Sequence, residues 1–221
     1  MSKSGEALSK ALVVAPNAAL SVFRTIMDVA IDGAGPLPGA RKAAGTTLNR
    51  KGEVEAAIDV LVRNHIGMAG AQGFLANLGG WVTIPVALPA NMSALATLQA
   101  RMVAAISHLR GYDVDDPRVR TAIFTCLLTQ DNVDELIRNE KIPSTPMAMA
   151  TAPVSDPELE KTVATHVVET LGSLATGKRV AVMGMKKIPL LGGGIGAGTD
   201  GMATWQVARY AKKQFPSRRM G

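Results

Sequence analysis

Apolar residues recur along this chain at the three- and four-residue spacing of amphipathic helices, and no alternating run of strand length competes with them. Residues 6–31 form the first predicted helical region, which Pro16 interrupts. Its apolar stripe consists of Leu8, Leu12, Leu20, Phe23, Ile26 and Met27. Residues 33–39 contain three glycines and two prolines and predict a loop.

A second predicted helix begins near Glu53 and ends at Gly79-Gly80. Its apolar face comprises Val54, Ile58, Leu61, His65, Met68 and Leu75. The opposite face is charged at Glu55, Asp59 and Arg63, but after Arg63 no charged residue occurs until Arg101. We therefore expect the second half of this helix to be enclosed on all sides.

The later helices are predicted from the residues that start and end them. A third helix ends at Gly111, and its stripe is formed by Met92, Leu95, Met102, Ile106 and Leu109. Asp116-Pro117 and Asp156-Pro157 each predict an N-cap followed by proline in the first turn. Between them, residues 142–154 predict an uncharged loop that packs on the body, and a last helix covers residues 201–215. The pattern as a whole predicts an all-α, compact multi-helix bundle.

Composition refines this fold class. The chain has 221 residues with 33 Ala, 22 Gly and 4% aromatic residues, so its apolar bulk comes from small side chains that let helices pack closely. We expect one domain, with an N-terminal helical region and Gly/Pro loop over residues 1–48 and a core over 49–221. A lone cysteine, Cys126, excludes an intrachain disulfide. Without a secretory signal pattern, we expect the protein in the cytoplasm.

The uncharged residues 64–100 raise the question of membrane insertion. A span over 66–88 is long enough, but the glycine pair at 79–80 and Pro85 favour a buried hairpin or an interfacial insertion. Helices rich in Ala and Gly can enclose an apolar cavity with a few polar groups that orient a headgroup. The predicted ligand-binding residues are Gln72, Asn77, Asn91, Gln99 and Arg101. Ordinary core hydrogen bonding is the alternative for these residues.

Charge is segregated along the chain. The net charge is +6, and after Asp200 every charged residue is basic. A basic amphipathic C-terminal helix is suited to an anionic membrane surface, although a solvated helix face explains it equally well. The predicted membrane-binding residues are Lys178, Arg179, Lys186, Lys187, Trp205, Arg209, Lys212, Lys213, Phe215, Arg218 and Arg219. Nucleic acid is excluded as the expected partner because no aromatic interleaving or recognition motif accompanies the basic residues.

The motifs that carry chemistry match only in part. Residues 172–179 resemble a phosphate loop, but Arg179 stands where Mg²⁺ needs a hydroxyl. Residues 196–201 fit a dinucleotide turn without the acidic residue that should follow. Asp113, Asp115 and Asp116 read as helix capping instead of a calcium loop, and His65 reads as a satisfied core histidine. We therefore assign no catalytic residue, cofactor or metal.

Several segments occur in an order that resembles a known family. They are residues 67–73 (GMAGAQG), 78–81 (LGGW), 88–89 (LP), 99–102 (QARM), 109–113 (LRGYD), 116–117 (DP), 186–189 (KKIP) and 211–215 (AKKQF). From about residue 50 onward the chain is similar to the EcsC family of bacterial proteins. The resemblance implies a helical cytoplasmic protein without assigned catalytic residues. Ala87 stands where many members have an acidic residue.

These observations predict a non-enzymatic cytoplasmic protein that acts at the membrane surface and binds lipid or another apolar ligand. Its expected partners are an anionic membrane surface or lipid, and a membrane protein or a second copy of the chain is a further option. The alternative is a scaffold that docks on a membrane complex or self-assembles through Gly/Ala faces. An enzyme acting on phosphorylated or lipid substrates ranks last, because no catalytic signature accompanies the glycine loops.

Overall fold

Helix boundaries in this protein follow the breaks that the sequence supplies. The computed structural model describes residues 15–71, 90–175 and 197–218. In chain order the elements are α1 (Pro16–Asp32), β1 (Gly33–Ala34), β2 (Leu37–Pro38), α2 (Ala40–Lys51), α3 (Val54–Gly70), α4 (Ala90–Leu109), α5 (Pro117–Cys126), α6 (Thr129–Arg138), α7 (Pro146–Ala150), α8 (Pro157–Ala175) and α9 (Ala197–Gln214). Across these described ranges, nine helices and a single two-stranded sheet confirm the all-α prediction.

The predicted helix starts are confirmed by their capping hydrogen bonds. The Asp116 carboxylate accepts from the Arg118 backbone N–H at 2.8 Å, and the Asp156 carboxylate accepts from the Glu158 N–H at 2.9 Å. At the start of α3, the Glu53 side chain accepts from two backbone N–H groups, each at 3.1 Å. These caps satisfy donors that the first turn of a helix leaves without partners.

The loop predicted over residues 33–39 contains a short antiparallel hairpin, in which Gly33 pairs with Pro38 and Ala34 with Leu37. Gly33 has a φ of +92°, which favours glycine. At Gly39, a Cβ atom would lie 2.1 Å from the Ile31 carbonyl oxygen. Only glycine fits at position 39, where the chain leaves the hairpin next to the end of α1. This turn places the Pro38 carbonyl beside α4.

Helix α4 is the centre of the molecule, with α1, α2, α3, α5, α8 and α9 packed around it. Residues 93–107 are buried on every face. Five alanines of this helix, Ala94, Ala96, Ala100, Ala104 and Ala105, have no exposed surface, so the neighbouring backbones approach closely. The small-residue composition therefore serves helix packing around α4.

Three local predictions need correction. As far as Gly70, the second half of α3 is not enclosed, because Gly67 is exposed and Met68 is only half-buried. Among the described residues of the uncharged stretch, the continuously buried part is 93–100 in α4. Helix α2 was not predicted, because its sequence is polar and lacks a continuous apolar stripe. The loop predicted over 142–154 contains the short helix α7, although it packs on the body as expected through Met149 and Ala150.

Within the described ranges, no helix combines the length and apolar character needed to cross a bilayer. Residues 72–89, the larger part of the predicted insertion, lie outside the described residues, as do Leu75 and the Gly79-Gly80 helix end.

Candidate functional site: a cationic cleft between α2 and α3

A cleft of about 810 Å³ lies between α2 and α3. Its charged lining residues are all basic: Lys42, Arg50, Arg63 and Arg101. None of the four forms an ion pair with a described Asp or Glu, in a protein that pairs many of its other cations. The cleft therefore concentrates positive charge, of which only that of Arg63 is partly offset, by the charge of Asp59 one helical turn earlier.

Helix α2 presents one face to the cleft and the other to the core. Lys42, Thr46 and Arg50 follow one another at four-residue intervals and line the cleft. On the other side, Ala40 and Ala44 are fully buried. This i, i+4, i+8 spacing is visible in the sequence and is the signal that could have revealed the site.

The chain returns through Gly52, whose φ of +72° ends α2 in the left-handed conformation. Helix α3 then starts at its Glu53 cap and contacts α2. This second wall supplies Arg63, Asn64 and the exposed Gly67 to the cleft. The glycine turn thus brings basic residues from two helices to one opening.

Two buried side chains, Arg101 from α4 and His65 from α3, complete the lining. His65 is 1% exposed and Arg101 is 5% exposed. The Nη1 atom of Arg101 lies 2.7 Å from Nε2 of His65, and its Nε atom donates to the Pro38 carbonyl oxygen at 2.6 Å. Arg101 therefore joins α4, α3 and the hairpin at the inner end of the cleft.

The partners of His65 determine its tautomer. Its Nδ1 atom lies 2.7 Å from the Leu61 carbonyl oxygen, which can only accept, so Nδ1 carries the hydrogen. Nε2 is then the acceptor for Arg101. Burial and, next, the charge of Arg101 lower the pKa of His65 to about 4, so the ring is neutral at neutral pH. The prediction of a satisfied core histidine is confirmed.

Arg101 is a buried cation without a carboxylate partner among the described residues. Burial lowers its pKa to about 10, which still leaves it charged at neutral pH. Of the 18 acidic residues in the chain, only Glu6 lies outside the described ranges, and none of the others pairs with Arg101. Because a buried charge without compensation is costly, this position favours a bound anion.

The predicted ligand-binding residues separate in the structure. Arg101 lines the cleft, whereas the Gln99 amide donates to the Thr204 hydroxyl at 3.2 Å and ties α4 to α9. Gln99 therefore follows the core hydrogen-bonding alternative. Gln72, Asn77 and the side chain of Asn91 lie outside the described residues.

The predicted membrane-binding face at the C-terminus is partly engaged in contacts within the protein. The Phe215 ring is fully buried against Tyr112, edge to face at 5.0 Å, so its expected place at a membrane boundary is wrong. Lys212 pairs with Asp59 at 2.9 Å, and the Lys213 ammonium donates to the Gln130 side chain at 3.3 Å. Phe215 is buried because α9 packs on α3 and α4, whereas Lys212 and Lys213 make their contacts at the surface.

A buried arginine anchors the end of α9. Arg110 forms a bidentate ion pair with Glu55, in which Nε lies 3.0 Å from Oε1 and Nη2 lies 2.8 Å from Oε2. Its Nη1 atom donates to the carbonyl oxygens of Lys212 and Phe215. Downstream, the Arg218 guanidinium lies 4.6 Å from the Tyr112 ring centroid. The C-terminal segment is thereby fixed to α3 and α4.

Three of the predicted membrane-binding residues, Trp205, Arg209 and Lys213, are exposed on α9. Trp205 is 43% exposed, and Arg209 lies over its ring at 5.6 Å from the centroid. The exposed Met202 is on the same helix. Lys178, Arg179, Lys186, Lys187 and Arg219 lie outside the described residues.

The remaining candidate groups have structural roles. Burial raises the pKa of the Cys126 thiol, which disfavours the reactive thiolate. Asp115 pairs with Arg41, and Asp116 caps α5 and pairs with Arg118, which confirms the capping interpretation. Among the described residues, no three His, Cys, Asp or Glu side chains are grouped to hold a metal ion.

Comparison with protein families, curated proteins and solved structures finds no match to this chain. The similarity to the EcsC family therefore stays a prediction from the sequence.

Proposed function

We propose that this protein is a non-enzymatic binding protein that acts at the membrane surface and holds the anionic headgroup of a lipid in the cationic cleft. The observation that carries the proposal is the lining: four basic side chains without carboxylate partners among the described residues, one of them buried. A neutral apolar ligand would leave that charge uncompensated. An anionic headgroup would neutralise it.

The energies involved are sufficient for reversible attachment. Each Lys or Arg close to an anionic leaflet contributes about 1 kcal/mol, so the open part of the cleft contributes about 3 kcal/mol through Lys42, Arg50 and Arg63. The attachment should weaken as salt screens the exposed charges.

Vesicle flotation tests this proposal. The protein should float with vesicles of phosphatidylcholine mixed with phosphatidic acid, and remain in solution with pure phosphatidylcholine. The double variant Arg50→Gln/Arg63→Gln should lose most of this binding. Its matched control is Arg138→Gln/Lys141→Gln, which removes the same charge from exposed positions outside the cleft lining. Equal loss in both double variants would show that only total charge matters and would reject the cleft.

A further inference from the structure

We propose that the cleft recognises a phosphate monoester group, with Arg101 as its innermost contact. This inference rests on the proposed function of the same site and specifies the chemical class of the anion. It is carried by the number of cationic groups, by the donors that Arg101 presents and by the contacts that hold Arg101 in place.

The number of cationic groups favours an anion with more than one charge. Lys42, Arg50, Arg63 and Arg101 line one cleft, and its lining includes no Asp or Glu. A phosphate monoester carries about −1.5 to −2 at neutral pH and has three strong acceptor oxygens. A carboxylate or a phosphodiester carries a single negative charge. Of these three groups, only the monoester compensates more than one of the four cations.

The donors of Arg101 suit the oxygens of such a group. A guanidinium has five N–H donors, and its bonds to Pro38 and His65 use Nε and Nη1. Nη2 has no hydrogen-bond partner among the described residues. Charge-assisted N–H bonds to phosphate oxygens are among the stronger hydrogen bonds in proteins. Thr46 and Asn64, also in the lining, add neutral polar groups for the remaining oxygens.

His65 acts as a positioning residue for Arg101. Because its Nδ1–H is bonded to Leu61, Nε2 offers a lone pair to the guanidinium and fixes the plane of that group. The Pro38 carbonyl, placed by the glycine-dependent hairpin, holds the other side. Two neutral acceptors thus orient the cation without neutralising it, so its charge stays available to a ligand.

A phosphate monoester can belong to a lipid headgroup or to a soluble phosphorylated compound, and two measurements on the full chain distinguish these sources. In solution, calorimetric titrations with inorganic phosphate and glycerol 3-phosphate are compared with acetate and dimethyl phosphate at constant ionic strength. On membranes, flotation with phosphatidic acid vesicles is compared with phosphatidylglycerol vesicles of matched surface charge.

We expect the monoesters to bind at least about tenfold more tightly than the diester and the carboxylate, in solution or on vesicles. Arg101→Lys should lower monoester affinity about 10- to 100-fold, because a lysine cannot donate from the same fork. Should this buried variant fail to fold, Arg50→Gln at the exposed rim provides the second variant and should reduce the preference for monoester. His65→Gln, which can still accept a hydrogen bond, should reduce the preference less than His65→Leu.

The outcomes separate the two proposals. Binding to acidic vesicles without preference for the monoester overturns the phosphate inference and leaves the membrane function standing. Monoester binding in solution without vesicle binding supports the inference and overturns the lipid source. Absence of binding in both measurements overturns both.

Discussion

Two groups of basic side chains in this protein differ in whether they are paired with carboxylates. In the cationic cleft, Arg50, Arg63 and Arg101 have no carboxylate partner among the described residues. Near the C-terminus, Lys212 is paired with Asp59 and the neighbouring Arg110 is paired with Glu55. Arg209, Lys213 and Arg218 also form no ion pair with a described carboxylate, but among the described residues the cleft alone has a buried unpaired guanidinium, that of Arg101.

The difference shows that basic residues indicate a binding surface only when the fold leaves them without counter-charges. Acidic residues in the first turns of α3 pair with two cations near the C-terminal segment: Glu55 with Arg110 and Asp59 with Lys212. The second half of α3 has no acidic residue and lines the cleft. One helix therefore separates a structural cluster from a candidate binding site.

The largest expected effect is a difference in the free energy of unfolding between variants of the two buried arginines, Arg110 and Arg101. Arg110→Met should lower the free energy of unfolding by about 3 kcal/mol, because Glu55 and the carbonyls of Lys212 and Phe215 lose their partner. Arg101→Met should cost about 1 kcal/mol or less, because it also removes a buried charge that has no counter-charge.

Urea unfolding of both variants, followed by circular dichroism, measures this difference. Anion binding should show the reverse order, lost in Arg101→Met and retained in Arg110→Met. If Arg101→Met is destabilised as much as Arg110→Met, Arg101 has a structural role like that of Arg110, and the proposed difference between the two regions is wrong.

A smaller effect follows from the neutral histidine of the cleft. The pKa of His65 is about 4 in the folded protein, whereas its ordinary value is 6.5. Between these two pH values His65 is protonated in the unfolded chain but neutral in the folded one, so acid favours unfolding. The contribution of neutral His65 to the free energy of unfolding is fully present above pH 6.5 and is lost as the pH falls towards 4. Between pH 7 and pH 5 the loss should be about 2 kcal/mol.

Chemical unfolding over this pH range tests the assignment, with His65→Gln as the control that should flatten the curve. Near the C-terminus, the ion pair of Asp59 should weaken only at lower pH, because Lys212 lowers the pKa of that carboxylate below 3.8. A wild-type curve that is flat between pH 7 and pH 5 would contradict the buried neutral state of His65.

The smallest effect concerns the exposed ion pair near the C-terminus. Lys212→Gln should lower the free energy of unfolding by about 0.5 kcal/mol or less, because both partners are solvated and screened. Binding to acidic vesicles should stay within about twofold of wild type, since one exposed charge already held by Asp59 contributes little. A drop as large as that of Arg50→Gln/Arg63→Gln would return the membrane-binding role to α9.

Local features were predictable from the sequence where neighbouring residues decide them. Asp116-Pro117 and Asp156-Pro157 start helices because the capping oxygen and the N–H groups that it accepts from are two or three residues apart. Gly111 ends α4 for a similarly local reason, with a φ of +86°. His65 was recognisable as a core residue from its place on an apolar stripe.

The candidate site was not predictable in the same way. Arg101 stood out as the charge that ends an uncharged stretch, but its partners His65 and Pro38 are 36 and 63 residues away. Helix α2 lacks the apolar periodicity that identifies amphipathic helices, so the cleft wall that it forms was missed. The Phe215 ring was misplaced because a boundary position on a helix does not tell which neighbour covers it.

The sequence by itself determined the helical class, the helix starts and the small-residue core, because each depends on spacings of a few residues along one backbone. The tertiary structure alone decided which charges are available. Whether a cation meets a carboxylate depends on contacts of α3 with Arg110 and with α9, where the paired residues are 55 and 153 positions apart in the chain. Those contacts neutralise Arg110 and Lys212 and leave Arg101 buried without a counter-charge among the described residues.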